Sequence, residues 1–120
     1  MIVGHVANRR AFVSLRVGGP TGEADIEFVL DTGYTGTLTL PLDACSALGL
    51  TFVRTQPAGL ADGSRIMLDV HRASVAWDTE HREMEVLAMD NAPLVGMTAL
   101  EDSDVRLQIV EGGIVTVGVL

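Results

Sequence analysis

One stretch limits what this chain can become: Ile26-Glu27-Phe28-Val29-Leu30-Asp31-Thr32-Gly33-Tyr34-Thr35-Gly36. An apolar run leads straight into an acid, then a hydroxyl, then a glycine. Ala24, Ile26, Phe28 and Leu30 recur at period two and share one face of a strand. Leu30 therefore delivers Asp31 to the end of a buried element. A carboxylate there is costly unless it is hydrogen-bonded or protonated. Thr32 is expected to bond back to the local backbone, and Gly33 to take torsions that a side chain would forbid.

The remaining sequence is short, 120 residues, which is enough for one core and therefore one domain spanning 1–120. Aromatics make up only 4%, so the core must come from Val, Leu, Ile, Ala and Met, while 13 glycines supply many turns. That balance favours a turn-rich β fold over a helical bundle. The formal net charge of -8, with only 8 dispersed basic residues, leaves no stripe to neutralise phosphates and argues against nucleic-acid binding. No apolar run is long enough to span a bilayer, so no membrane role is expected. Met1 to Arg10 lacks the order of a signal peptide, and a cytoplasmic location is expected. The single cysteine, Cys45, excludes an intramolecular disulfide and is expected to be a buried structural thiol.

Taken in order, Ile2 to Ala7 is a first strand and Asn8-Arg9-Arg10 a break. Phe12 to Val17 and Glu23 to Leu30 form a hairpin around the turn cluster Gly18 to Gly22. Thr37 to Leu40 is β-prone, and Pro41 starts a short helix that stops at Gly49. Leu50 to Gln56 is a strand. Asp62-Gly63 marks a two-residue hairpin turn before a long strand, Arg65 to Trp77, with a bend near His71. His81 to Met89 returns, Leu94 to Gly96 is a short apolar run, and Met97 to Asp102 a short helix with Thr98 as one candidate cap. Val105 to Val110 and Ile114 to Val119 are the last strands. The expected fold is mostly β, with nine or ten short strands and one or two short helices.

Three features stand in a fixed order: the acid at the strand end, a glycine-containing hairpin about thirty residues on, and Pro93-Leu94-Val95-Gly96-Met97-Thr98-Ala99-Leu100. This order resembles the single-domain retropepsin-like (clan AA) aspartic proteases across nearly the whole chain. The resemblance implies a closed acid-protease barrel and an aspartic endopeptidase. It makes Asp31 the catalytic acid, Thr32 a brace across a dimer axis, and Gly33 a point of close substrate approach. It makes Ala58, Gly59, Leu60, Ala61, Asp62 and Gly63 a substrate-covering flap. Two residues depart from the usual pattern: Tyr34, where many relatives carry Ala or Ser, and Thr98, where Asp or Asn is common and supports the active-site loop.

Hydrolysis by this route uses two carboxyls, one as general base towards water and one as general acid towards the scissile carbonyl. The chain offers one Asp-Thr-Gly. Asp62 sits on a hairpin tip, Asp90 has the wrong neighbours, and Asp102 and Asp104 fall at a helix end. The second carboxyl must then come from a second copy, so a homodimer acting on a peptide or protein is expected. The terminal runs Ile2 to Ala7 and Ile114 to Val119 are candidates for pairing across the axis. No cofactor or metal is implied, because His5, His71 and His81 match no zinc spacing. Gly18-Gly19 and Gly112-Gly113 are turns, Trp77 a packing residue, the five Met core filler, and Glu111 a solvated turn residue. The alternative is a peptide- or protein-binding module on the same fold that does not cut.

Overall fold

A computed structural model describes residues 1–120. β1 (Ile2–Ala7) and β2 (Arg10–Gly19) form a hairpin that turns at Asn8 and Arg9, with φ of 52° and 62°. Two successive left-handed residues match the twist of flanking strands. β2 and β3 (Gly22–Leu30) then pair from Phe12↔Val29 to Gly19↔Gly22. β4 (Leu38–Leu40) leads into α1 (Leu42–Leu48), which ends at Gly49 in the left-handed conformation, φ 63°. The chain continues through β5 (Thr51–Gly59), β6 (Arg65–Trp77), β7 (Glu80–Ala88), β8 (Leu94–Val95), α2 (Met97–Leu100), β9 (Ser103–Leu107) and β10 (Ile114–Val119). β5 runs through Pro57 to Gly59, further than expected. The proline is tolerated because β5 is an edge strand.

The long strand β6 organises the sheet. Its first part pairs with β5, while Ser74 to Ala76 pair with Gly18 to Arg16 of β2. Strands β6, β7, β4, β8, β3 and β2 thereby close into a ring. The closure is narrower than the barrel expected, since β5 and the arm β1–β10–β9 extend beyond it. The bend anticipated near His71 takes the form of a bulge in β5, where the register shifts between Phe52 and Arg54 opposite His71 and Val70.

The core is aliphatic, with Val13, Val17, Leu38, Leu40, Val75, Val86, Val95 and Val115 essentially inaccessible around Phe28. Truncating a buried phenylalanine of this kind costs roughly 3–5 kcal/mol. Trp77 is buried and packs as expected, with Arg82 lying 5.2 Å over its ring. Of the methionines, Met84 fills the core, whereas Met1, Met67 and Met97 are exposed. Three of the five thus depart from the role their composition suggested.

The terminal strands also depart from expectation. β1 pairs with β10 inside the same chain, from Ile2↔Val117 to His5↔Ile114. β9 pairs only with β10 and forms the outer edge of the arm. The last region before β10 is a strand from Ser103 to Leu107, so Asp104 lies in a strand and not at a helix end. No helix is long and apolar enough to cross a membrane.

Candidate active site

Asp31 sits where β3 leaves the ring. β8 lies beside β3 in parallel, with Val29↔Leu94 and Leu30↔Val95, and also pairs antiparallel with β4. The strand before the acid and the strand after its loop therefore flank the same short element. The buried Thr39 hydroxyl accepts the Leu94 N–H at 2.9 Å and satisfies the junction. The Asp31 N–H donates to the Val95 carbonyl at 2.9 Å, which fixes the acid's backbone.

Asp31 is half-buried and directly follows the last residue of β3. Its Oδ1 accepts the Gly33 N–H at 2.9 Å, and its carbonyl accepts the Tyr34 N–H at 3.2 Å. The loop is thus an Asx-type turn built on the carboxylate itself. Gly33 holds no left-handed torsion, contrary to expectation. Glycine matters there because an added Cβ would stand 3.2 Å from Asp31 Oδ1. Thr32 is exposed, and its hydroxyl makes no hydrogen bond within the chain, so the expected local backbone bond does not form.

The rest of the loop is held by α2 and the residue before it. Gly96 N–H donates to Thr37 at 2.8 Å, Met97 N–H to Tyr34 at 2.8 Å, and Thr98 N–H to Gly36 at 3.1 Å. The Thr98 hydroxyl donates to the Thr35 carbonyl at 2.5 Å. Thr98 therefore supports the loop despite departing from the usual Asp or Asn, and it does not cap its helix. The Tyr34 ring lies against Gly36 and Gly96. A Cβ on Gly96 would meet the Gly36 carbonyl oxygen at 2.2 Å and the Tyr34 ring at 2.6 Å. Burial pushes the Tyr34 phenol above its ordinary pKa.

Tyr34 lines a hollow of about 260 Å³ together with Thr37, Arg54, Gln56, Glu85 and Thr98. Arg54 forks onto Glu85 at 2.7 and 2.8 Å and also reaches Gln56 at 3.2 Å. Those bonds hold the Glu85 carboxyl below its ordinary range. Sequence inspection missed this pair. Arg54 and Glu85 lie on β5 and β7 with β6 between them, and no local pattern joins positions 31 residues apart.

Ala58 to Gly63 form the tip of the β5–β6 hairpin. The turn is wider than two residues: Gly63 N–H donates to Leu60 at 3.0 Å and Leu60 N–H to Ser64 at 2.8 Å. Asp62 accepts both the N–H and the hydroxyl of Ser64, at 2.8 and 2.5 Å, which lowers its carboxyl pKa. None of the hydrogen bonds made by the tip reaches the Asp31 loop. The structure thus brings Asp31, Thr32 and Gly33 together and leaves Ala58, Gly59, Leu60, Ala61, Asp62 and Gly63 as a separate unit.

The other singled-out residues fall away from this site. Cys45 is buried, and burial pushes its thiol above the ordinary pKa, which is the opposite of what a nucleophile needs. His5 stacks on Phe12, and His71 is buried against Phe52. No group of three His, Cys, Asp or Glu residues is placed to hold a metal ion. Glu111 does more than face solvent: its carboxylate accepts the Asn8 N–H at 2.9 Å and ties two turns together.

No protein-family model and no curated protein sequence matches the chain. Its three-dimensional structure does have counterparts among solved structures. It is similar to a retropepsin-like aspartic protease from Rickettsia conorii, with a TM-score of 0.63 and 16% identity over 100% of this chain and 90% of that one. It is also similar to EIAV protease solved with the inhibitor HBY-793, with a TM-score of 0.61 and 17% identity over 79% of this chain and 88% of that one. At such identities the likeness establishes the fold: this chain has the retropepsin-like aspartic-protease fold.

Proposed function

We propose that this chain is one half of a homodimeric aspartic endopeptidase, in which Asp31 from each of two copies acts on one water. The observation that carries the reading is the placement of Asp31. It stands half-buried just past the end of β3, with its backbone clamped by Val95 and its carboxylate held by the Gly33 N–H. A carboxylate fixed in this way is pre-oriented for proton transfer. The protease fold of its structural neighbours supports the same reading.

Each copy supplies one carboxyl, and the reaction needs two. Two carboxyls side by side cannot both ionise cheaply, so the pair holds one proton, as is established for aspartic proteases. The ionised member takes a proton from water. The resulting hydroxide adds to the scissile carbonyl carbon while the protonated member donates to the carbonyl oxygen. Collapse of the tetrahedral intermediate transfers a proton to the leaving nitrogen and breaks the C–N bond. The free hydroxyl of Thr32 would brace the two loops. Gly33 would admit substrate backbone, and Ala58 to Gly63 would close over it. No metal or organic cofactor enters this scheme.

The test is cleavage of a diverse peptide library at mildly acidic pH. Asp31→Asn should lower the rate by at least about 10²-fold, the usual contribution of a general acid or base, while leaving the fold intact by circular dichroism. A statine-type inhibitor should block the wild type. Undiminished cleavage by Asp31→Asn rules the mechanism out. A dimer that binds peptides but cuts none would instead support the binding-module reading.

A further inference from the structure

The arm β1–β10–β9 ends in a strand whose outer edge has no partner. The direction of that edge's polar groups follows from two bonds. Gln108 N–H donates to the Ile114 carbonyl at 3.0 Å, and the Asp102 carbonyl accepts from Leu120 N–H. Even-numbered residues of β9 therefore turn their backbone groups towards β10. By alternation, Ser103, Val105 and Leu107 turn theirs outward. Beside that edge lies a hollow of about 440 Å³ lined by Leu30, Thr32, Met97, Val105, Leu107 and Ile109. The edge thus continues into the loop that carries Asp31.

We propose that a second copy of this chain pairs with β9 edge to edge, antiparallel about a twofold axis through Val105. The proposal rests on the half-site reading above and specifies which surface completes the site. In this register Val105 exchanges both backbone hydrogen bonds with Val105 of the second copy, and Ser103 does so with Leu107. Asp104 then lies opposite Arg106 of the second copy, and Arg106 opposite Asp104. These are the close, non-hydrogen-bonded positions of the ladder, where side-chain charge is felt most. At present the two residues of one chain face each other at 3.2 Å, with Arg106 80% exposed and Asp104 44% exposed. Neighbouring symmetric registers fail on charge: shifting one way sets Arg106 against Arg106, and shifting the other sets Asp104 against Asp104. The strand is self-complementary in one alignment only, and the charges select register more than affinity.

The terminal strands have little part in this interface, because β1 and β10 already pair within the chain. Val105 and Leu107 from both copies form the apolar face of the joined ribbon, next to Thr32. Because Thr32 lines the same hollow as Val105 and Leu107, the pairing would set the Asp31 loop of each copy beside the shared interface.

Sedimentation across a concentration series tests the charges. Asp104→Arg alone and Arg106→Asp alone should each weaken the dimer by about tenfold or more, and the double exchange should restore it. Amide hydrogen exchange gives an independent readout on the unaltered chain. Val105 and Leu107 should gain protection as the dimer forms, while Asp104 and Arg106 are protected throughout. A dimer in which Val105 and Leu107 still exchange freely overturns the proposal, as does a chain that stays monomeric at every concentration. If such a dimer cuts peptides through Asp31, only the interface is wrong. If a β9-linked dimer forms but cuts nothing, the interface stands and the protease reading fails.

Discussion

The Asp31 loop and the Leu60–Ser64 hairpin tip are both short, glycine-bearing turns at the ends of long strands, yet they are held by different means. Besides its two internal bonds at Asp31, the Asp31 loop is tied to Val95, Gly96, Met97 and Thr98, some sixty positions away in sequence. The tip takes all of its bonds from within Leu60 to Ser64. Moving a loop tied from a distance means breaking its bonds to β8 and to the start of α2. A tip tied only to itself can pivot on its strands without breaking any bond. The difference matches the two jobs that the proposed hydrolysis would separate: fixed placement of the acid, and access for a chain-like substrate.

Three substitutions probe that contrast, in descending order of effect. Gly96→Val should be the most damaging, because its Cβ would meet the Gly36 carbonyl oxygen at 2.2 Å and neither backbone can yield alone. Overpacking of this kind costs up to about 3 kcal/mol, and urea unfolding should show a correspondingly lower midpoint. If the midpoint is unchanged, the loop is not clamped as described. Thr98→Val removes the hydroxyl bond to Thr35 at similar volume, so the expected loss is about 1 kcal/mol, read as a lower melting temperature. The same change should speed amide exchange in the Asp31 loop. Asp62→Ala should leave the melting temperature within error, since Asp62 is fully exposed, while the Ser64 amide exchanges faster. A large drop in melting temperature from Asp62→Ala would mean that the tip is anchored to the body after all.

Much of the contrast was legible in the residues. Period-two alternation placed Phe28 and Leu30 on the buried face and so fixed where Asp31 emerges. Glycine and proline marked the α1 boundaries at Pro41 and Gly49, and the start and end of β6 fell at Arg65 and Trp77 as expected. The torsion expected at Gly33 is absent, because strain from torsion and crowding from a Cβ leave the same mark in a sequence. Thr98 reads in sequence as a candidate helix cap, because its bond partner Thr35 is 63 positions away. The Arg54–Glu85 fork beside Tyr34 left no local signature.

What the amino-acid order settled alone is local: strand faces, turn positions, the single Asp-Thr-Gly and the aliphatic character of the core. These follow from side-chain alternation and backbone preference, which act over a few residues. The tertiary structure decided the rest. It paired the two terminal strands with each other, left β9 as an open edge, and turned Tyr34 onto Gly36 and Gly96. Those outcomes depend on which distant strands share a register. Register is chosen by the packing of the whole core at once, so no single stretch of the chain contains it.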